Sequence, residues 1–327
     1  MRVVLLLSGG IDSAAAGKIL VDQGAEVIGV TFDLGDNRCC ALDLARRICN
    51  RLGITHYVYN LKERFEREII QDYQDQLLKG FTPNPCPGCN IGIKFKTGMR
   101  IADEVGSQYF ATGHYARRSK KRDFWQLIEA KDRDASQSYF LALIDQEILA
   151  RILFPIGGLK REEVARIGER LKAEFLRSQE VCFDLRFEKM PGDIVDLEGK
   201  VLGRHDGHYF YTHGQRHGLG IGGGEPYYVV RKGVIENRII VGRRNDLMSK
   251  SFQIGEIHWI GPEPDLPLRA EVRVRYQSEP ISGVISKRED RYLVELERPH
   301  FAITPGQLAV FNQGEVVLGG GWIDAVD

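Results

Sequence analysis

The most chemically pointed stretch of this chain is Pro83-Asn84-Pro85-Cys86-Pro87-Gly88-Cys89-Asn90. A C-x-x-C spacing lets two sulfurs face one centre, and the prolines predict an extended, rigid loop around them. Lys94 and Lys96 follow closely, and cations near a thiol favour the thiolate, the form that attacks electrophiles and binds metals. A third cysteine, Cys182, stands far downstream in Ser178-Gln179-Glu180-Val181-Cys182-Phe183. Sequence distance does not keep it from meeting the pair in space. Six cysteines in 327 residues, with no secretory pattern, argue against a disulfide scaffold and for thiol or metal chemistry. Cys39, Cys40 and Cys49 lie around a helical pattern of apolar residues and read as core packing.

A second site for chemistry opens the chain. Val3 to Leu7 reads as a buried strand, too short an apolar run for a leader, and it leads into Ser8-Gly9-Gly10-Ile11-Asp12-Ser13 and a helix. Paired glycines let the backbone turn tightly and aim N–H groups at an anion, and the helix start adds partial positive charge. Ser8 and Ser13 add hydroxyls, and Asp12 is placed to hold Mg²⁺ on a phosphate. The pattern is neither G-x-x-x-x-G-K-[ST] nor G-x-G-x-x-G. Ala111-Thr112-Gly113-His114-Tyr115 follows another strand, where Gly113 permits a nucleotide to approach closely.

The elements that must carry these groups follow from apolar periodicity. Strands at 3–7, 25–32, 56–60 and 109–112 alternate with helices at 13–23, 40–52, 65–79 and 91–105. That alternation predicts an α/β unit with a parallel sheet covered on both faces, binding ligand at the carboxyl ends of its strands. From about Met190 glycine becomes dense and helical periodicity ends. Beyond Gln253 short alternating strands, such as Ala270 to Tyr276, predict a small antiparallel β-barrel. Boundaries near 190 and 250 divide the chain into 1–190, 191–250 and 251–327. No apolar run reaches membrane-spanning length, so a cytoplasmic protein is expected.

Lys plus Arg equals Asp plus Glu at 45 each, so any polyanion must be held by local patches. Arg117, Arg118, Lys120, Lys121 and Arg122 form one candidate; Arg243 with Arg244, and Arg269 with Arg273 and Arg275, form others. His205, His208, His213 and His217 fall close together, and their glycine-rich setting favours surface or RNA contact over metal.

Ser8 to Ser13 resembles the S-G-G-x-D-S pyrophosphate loop of the ATP pyrophosphatase superfamily. With Thr82–Phe95, Gln137–Leu141, Cys182–Phe183, Gly214–Gly222 and Thr304-Pro305-Gly306-Gln307, the chain is similar to the tRNA-specific 2-thiouridylases over nearly its whole length. The resemblance implies a Rossmann-like catalytic domain, a small β-rich central tRNA-binding domain and a C-terminal antiparallel β-barrel. It implies ATP and Mg²⁺, with Leu6, Leu7, Ser8, Gly9, Gly10, Ile11, Asp12, Ser13, Phe32 and Gly113 around the nucleotide. ATP would adenylate the C2 oxygen of a wobble uridine in tRNA. Cys182 would carry a persulfide from a sulfur-relay protein or cysteine desulfurase, or free sulfide would supply the sulfur, and Cys89 would be the partner nucleophile. Asn84, Pro85 and Cys86 match positions at the target base. Ala135, Ser136, Gln137, Arg275 and Tyr276 match tRNA contacts.

The chain departs from the family's commonest pattern at several points. Cys86 stands where many members carry Asp, Ala135-Ser136 replaces a Lys-Asp pair, and Asp33-Leu34-Gly35-Asp36 replaces a Trp-containing segment. The stretch after Cys182 is also shorter than usual. Cys86, Cys89 and Cys182 together open a second chemistry, an iron–sulfur cluster on three thiolates. Two rival functions use the same residues: an ATP-dependent amide or amidine synthetase, and a non-catalytic RNA-binding protein.

Overall fold

The computed structural model describes residues 1–35, 41–171, 182–185, 187–222 and 224–326. Cys39 and Cys40, the segment Ser178 to Val181, and Asp36 lie outside the described residues.

β1 (Arg2–Leu6) is the axis of the first domain. Val3 and Leu5, with Leu7 just beyond, pack into one core with Ala14, Ala15 and Ala16, while Val4 and Leu6 pack into another with Phe32, Phe95 and Phe110. A strand apolar on both faces needs cover on both. α1 (Ile11–Asp22) and α2 (Leu42–Leu52) lie over the first core, and β2 (Glu26–Asp33) and β3 (Thr55–Asn60) extend the sheet on one side. A helix over 62–78 (α3) and another over 86–104 (α4) cover the second core. β4 (Tyr109–Thr112) pairs with β1 on its other side, in parallel register Val3 to Tyr109 and Leu6 to Thr112.

The helix of 86–104 overturns the expected loop. Cys86, Pro87 and Gly88 already form its first turn, and Cys89–Phe95 continue as a π segment. A proline in the first turn costs no hydrogen bond, because N–H groups there have no partner within the helix. Asn84 completes the start: its Oδ1 accepts the Cys86 N–H at 3.1 Å. α3 carries a π segment too, Glu66–Ile70, and π turns concentrate where a helix serves a site.

After β4 the chain forms a hairpin, β5 (Ala116–Lys121) and β6 (Phe124–Glu129), then α5 (Gln146–Arg151), β7 (Ile152–Leu153) and α6 (Arg161–Arg170). β7 completes a five-stranded parallel sheet in the order β3-β2-β1-β4-β7. The central domain is a four-stranded sheet of β8 (Gly192–Val195), β9 (Val201–His205), β10 (Tyr228–Gly233) and β11 (Arg238–Gly242), built on Ile194, Val229, Ile239 and Val241.

The last domain contains β12 (Met248–Ile254), β13 (His258–Trp259), β14 (Leu268–Arg273), β15 (Ile281–Arg288), β16 (Arg291–Phe301), β17 (Leu308–Gln313) and β18 (Val316–Val326). The run β12-β16-β15-β14-β17-β18 closes by pairing β12 with β18 into a six-stranded antiparallel barrel. The strand expected to reach Tyr276 ends at Arg273, and Arg275 and Tyr276 sit in a turn where the Ser278 N–H donates to the Arg275 carbonyl at 3.1 Å. The β5–β6 hairpin leaves the first domain and pairs with β18, Ile128 opposite Val316. Buried Glu129 locks it there by accepting from Arg273 at 3.0 Å and Asn312 at 3.3 Å.

Candidate active site

The chain leaves β1 through Leu7 and turns at Gly9, whose φ of +89° places it in the left-handed region. A Cβ there would lie 2.6 Å from the Ala41 carbonyl, so only glycine fits. α1 then starts with Gly10 as its cap and no side-chain hydrogen bond to its first N–H groups. Such a helix start is suited to a phosphate. The two serines are arranged around it: Ser8 Oγ accepts from Gly10 N at 3.3 Å and lies 3.2 Å from Ser13 Oγ, which donates to the Gly10 carbonyl at 2.9 Å.

A cavity of about 200 Å³ opens above this turn, lined by Leu6, Leu7, Ser8, Asp12, Ser13, Phe32 and Gly113. Gly9, Gly10 and Ile11 shape the turn from below instead, and Ile11 is buried beneath Gly168 of α6. Gly113 is held against the loop so closely that a Cβ on it would lie 2.6 Å from Ser13 N. Five further residues line it beyond the positions named for the nucleotide: Val30, Lys94 and Gln137, and Thr112 and His114 from the segment that carries Gly113. Lys94, expected near the thiols, lines this cavity as well and donates to Asn90 at 3.1 Å, placing a cation where an oligophosphate would need one. The five-residue offset from Cys89 alone cannot reveal that, because it becomes an orientation only once the π segment is known. Gln137, matched to tRNA contact, accepts the Tyr115 N–H at 3.0 Å and lines the same cavity.

The electrostatics suit a metal-bound nucleotide. Burial pushes the Asp12 carboxyl above its usual range, opposed by the Tyr115 hydroxyl that donates to its Oδ1 at 3.1 Å. A hard divalent cation at this oxygen donor would offset that desolvation, so Mg²⁺ fits the residues present. His114 is half-buried beside Phe95 (5.6 Å between ring centroids), and its Nδ1 lies 2.8 Å from Thr112 Oγ1. Burial, with Lys94 nearby, pulls its pKa down to about 3, so the imidazole is neutral at physiological pH.

Cys86 and Cys89 stand at the start of α4, the helix that also carries Lys94. Cys86 is half-buried and Cys89 buried; a spacing of three puts both on one helical face. Cys89 belongs to the core of Phe65, Ile93 and Phe183, and Cys182 packs against that same core. Phe183 anchors Cys182 to α3 through edge-on contacts with Phe65 (5.9 Å) and Tyr73 (5.4 Å). None of Cys86, Cys89 and Cys182 is in a disulfide. Among the described residues no three His, Cys, Asp or Glu side chains converge on a metal position. Cys49 is buried, and burial lifts its thiol to about 11, in keeping with core packing.

All three domains grip the segment leading to Cys86. Lys232 Nζ donates to the Phe81 carbonyl at 2.8 Å, Gln307 Nε2 to the Thr82 carbonyl at 2.6 Å, and Thr82 N–H to the Pro305 carbonyl at 3.2 Å. Thr304-Pro305-Gly306-Gln307 is thus a brace on the cysteine helix. Lys232 is enclosed, which lowers its pKa to about 8.

The residues matched to RNA contact are scattered. Asn84 and Pro85 are half-buried beside Cys86. Ala135 and Ser136 are buried, with Ser136 Oγ accepting the Ala130 N–H at 3.2 Å. Arg275 is exposed and donates to Thr304 at 3.2 Å, while Tyr276 stacks on Phe140 at 4.3 Å. Of the basic patches, Arg117 and Arg273 are committed to Glu315 and Glu129, and Arg118 lies over Trp125. Lys120, Lys121 and Arg122 at the hairpin tip stay exposed. His205 and His208 are buried, contrary to the surface role expected: each lies 3.1 Å from a backbone carbonyl, of Asn237 and Leu78 respectively.

Comparison with known proteins adds the lineage. Residues 1–184 match the tRNA methyl transferase HUP domain, 183–243 the tRNA methyl transferase PRC-barrel domain, and 249–323 the aminomethyltransferase beta-barrel domain. Curated tRNA-specific 2-thiouridylases are similar from end to end. That of Geobacter metallireducens is 38% identical, covering 99% of this chain and 97% of the relative. That of Gloeothece citriformis is 40% identical over 99% of both, and that of Chloroflexus aurantiacus 41% over 98% of both. Among solved structures, a 4-thiouridine synthetase–RNA complex with bound ATP aligns with 52% of this chain and 40% of that one, at 20% identity and a TM-score of 0.37.

Proposed function

This chain belongs to the tRNA-specific 2-thiouridylase family, and we propose that it replaces the C2 oxygen of a tRNA wobble uridine by sulfur at the expense of ATP. The observation that carries this reading is a single helical segment serving both halves of the chemistry. Cys89–Phe95 carries both Cys89, in the core that Cys182 packs against, and Lys94, which lines the cavity of the phosphate loop. An amide synthetase needs only the second half, and a binding protein needs neither.

In the proposed reaction Ser8, Ser13, Lys94 and the start of α1 hold the phosphates of ATP, with Asp12 holding Mg²⁺. The uridine C2 oxygen attacks the α-phosphate, pyrophosphate leaves, and the poor leaving oxygen becomes part of AMP. A persulfide on Cys182, loaded by a sulfur-relay protein or cysteine desulfurase, attacks C2 through its outer sulfur and AMP departs. The Cys89 thiolate then attacks the Cys182 sulfur, releasing thiouridine and leaving a Cys89–Cys182 disulfide that an external thiol must reduce. The shared core of Cys89 and Cys182 supports this pairing. The reacting base must leave its stack to reach the site, and Asn84, Pro85 and Cys86 stand at the entrance.

The test is mass spectrometry of nucleosides from a wobble-uridine tRNA incubated with the protein, Mg-ATP and a persulfide donor. ATP-dependent 2-thiouridine, absent with Cys89→Ala, is the expected result. AMP formation without thiolated base would discard the assigned substrate while keeping the ATP chemistry.

A further inference from the structure

Of the concavities that the nucleotide cavity and the cysteines leave unused, one borders the cysteine helix. This pocket, of about 200 Å³, shares no lining residue with the nucleotide cavity. Its floor is Gly88 and Gly92, one helical turn apart on α4. A Cβ built on either glycine meets nothing within 4 Å, so the two absent side chains are what leave the pocket open. Glu68 and Asp72 of α3, again one turn apart, form one edge, and Pro85 borders the side next to Cys86. Across from them stands Trp322 of β18. It points outward from the barrel, between inward Gly321 and Ile323, and is 36% exposed.

We propose that this pocket holds a nucleobase of the RNA, the neighbour of the reacting uridine, stacked on the Trp322 indole with an N–H edge turned to Glu68 and Asp72. The inference rests on the thiolation reading and adds a subsite to it. Three features select the occupant. A flat aromatic face beside a slot is what a base requires, since every base has a π-face to stack. Two carboxylates stand at the edge, Glu68 paired with Arg64 at 3.0 Å and Asp72 accepting from Gln76 at 2.7 Å, and each keeps further lone pairs to accept an N–H from a base. Pro85 and Gly88 bracket Cys86 in sequence and both line the pocket, which puts the occupant next to the reacting position. A base pulled from its stack leaves its neighbour without a partner, and Trp322 would replace that partner.

The experiment is a fluorescence titration of the full chain with an anticodon stem-loop RNA carrying the wobble uridine, with thiolation measured in parallel using a small-molecule persulfide donor. RNA should quench wild-type tryptophan emission, with most of the quench lost in Trp322→Phe although Trp125 and Trp259 remain. Trp322→Ala should weaken RNA binding about tenfold, the loss of one base–aromatic stack, with the KM for ATP unchanged and Trp322→Tyr restoring most of the affinity. Gly92→Leu, whose side chain enters open space, should weaken RNA binding without lowering the melting temperature. RNA abasic at the flanking position should bind wild type and Trp322→Ala equally weakly. Three outcomes overturn the pocket while leaving the thiolation reading intact: unchanged RNA affinity in Trp322→Ala, equal binding of abasic and intact RNA, or a Trp322 effect seen only with a protein sulfur donor. Failure of the wild type to bind the RNA at all would overturn the reading beneath it.

Discussion

Gly113→Ala isolates the close approach on which the nucleotide site depends. The added methyl would lie 2.6 Å from Ser13 N and 2.8 Å from both Asp12 C and Ser13 Cα, all backbone atoms of the phosphate loop. Ordinary contact begins at 3.4 Å, so loop and β4 must separate by about 0.8 Å. No side chain can rotate to absorb that. The shift moves Ser13 and the start of α1 away from where the phosphates lie, and a displacement of about 1 Å in a positioning element costs on the order of 100-fold in rate. Overpacking of this kind costs about 1–3 kcal/mol of stability, leaving a protein that still folds. The expected outcome is a fall of about 100-fold in ATP-dependent AMP formation, with a modestly lowered melting temperature and near-native far-UV circular dichroism. Gly88→Ala, where a Cβ meets nothing within 4 Å, is the control for stability. Wild-type AMP formation in Gly113→Ala would refute the steric argument and with it the placement of the phosphates.

Cys86→Asp should keep thiolation within a few-fold of wild type, because Cys86 opens the helix where a carboxylate is favoured by the helix field, whereas Cys89→Ala should abolish it; 2-thiouridine yield reads both. Gln307→Ala removes the barrel's donor to the Thr82 carbonyl. It should slow thiolation several-fold at unchanged KM for ATP and cost about 1 kcal/mol by urea denaturation. Stability should also fall with acid. The pKa values of His114 and His213 are lowered by burial to about 3 and about 4, below the usual 6.5. Between those values and 6.5 the unfolded chain binds more protons, so each imidazole contributes stability that is complete above pH 6.5. As pH falls that stability is lost at about 1.4 kcal/mol per unit. Urea midpoints measured from pH 7 to pH 4.5 should decline accordingly, and a flat profile would mean the two rings are not enclosed.

The chain's local patterns determined much of this protein. Ser8 to Ser13 after an apolar strand could only be a tight glycine turn onto a helix, because that geometry is written in neighbouring residues. The alternation of strands and helices before Met190, and of short strands after Gln253, likewise announced a parallel sheet and a barrel. Cys89 and Cys182 were legible as residue types, and family resemblance supplied an expected role for each. What only the tertiary structure decided depends on atoms far apart in sequence. Pro87, one of the prolines that suggested an extended loop, sits in a helix's first turn, where it needs no partner, and Asn84 accepts the Cys86 N–H just before it. Lys94 was read beside the thiols, and only the packed structure shows that it also lines the cavity of the phosphate loop. His205 and His208 are buried because distant carbonyls receive them. The Gln307 brace on Thr82 and the slot between Gly88, Gly92 and Trp322 join residues more than two hundred positions apart. Backbone conformation is a local energy that a few residues can specify; a shared cavity is a property of packing, and exists only when the domains have closed around it.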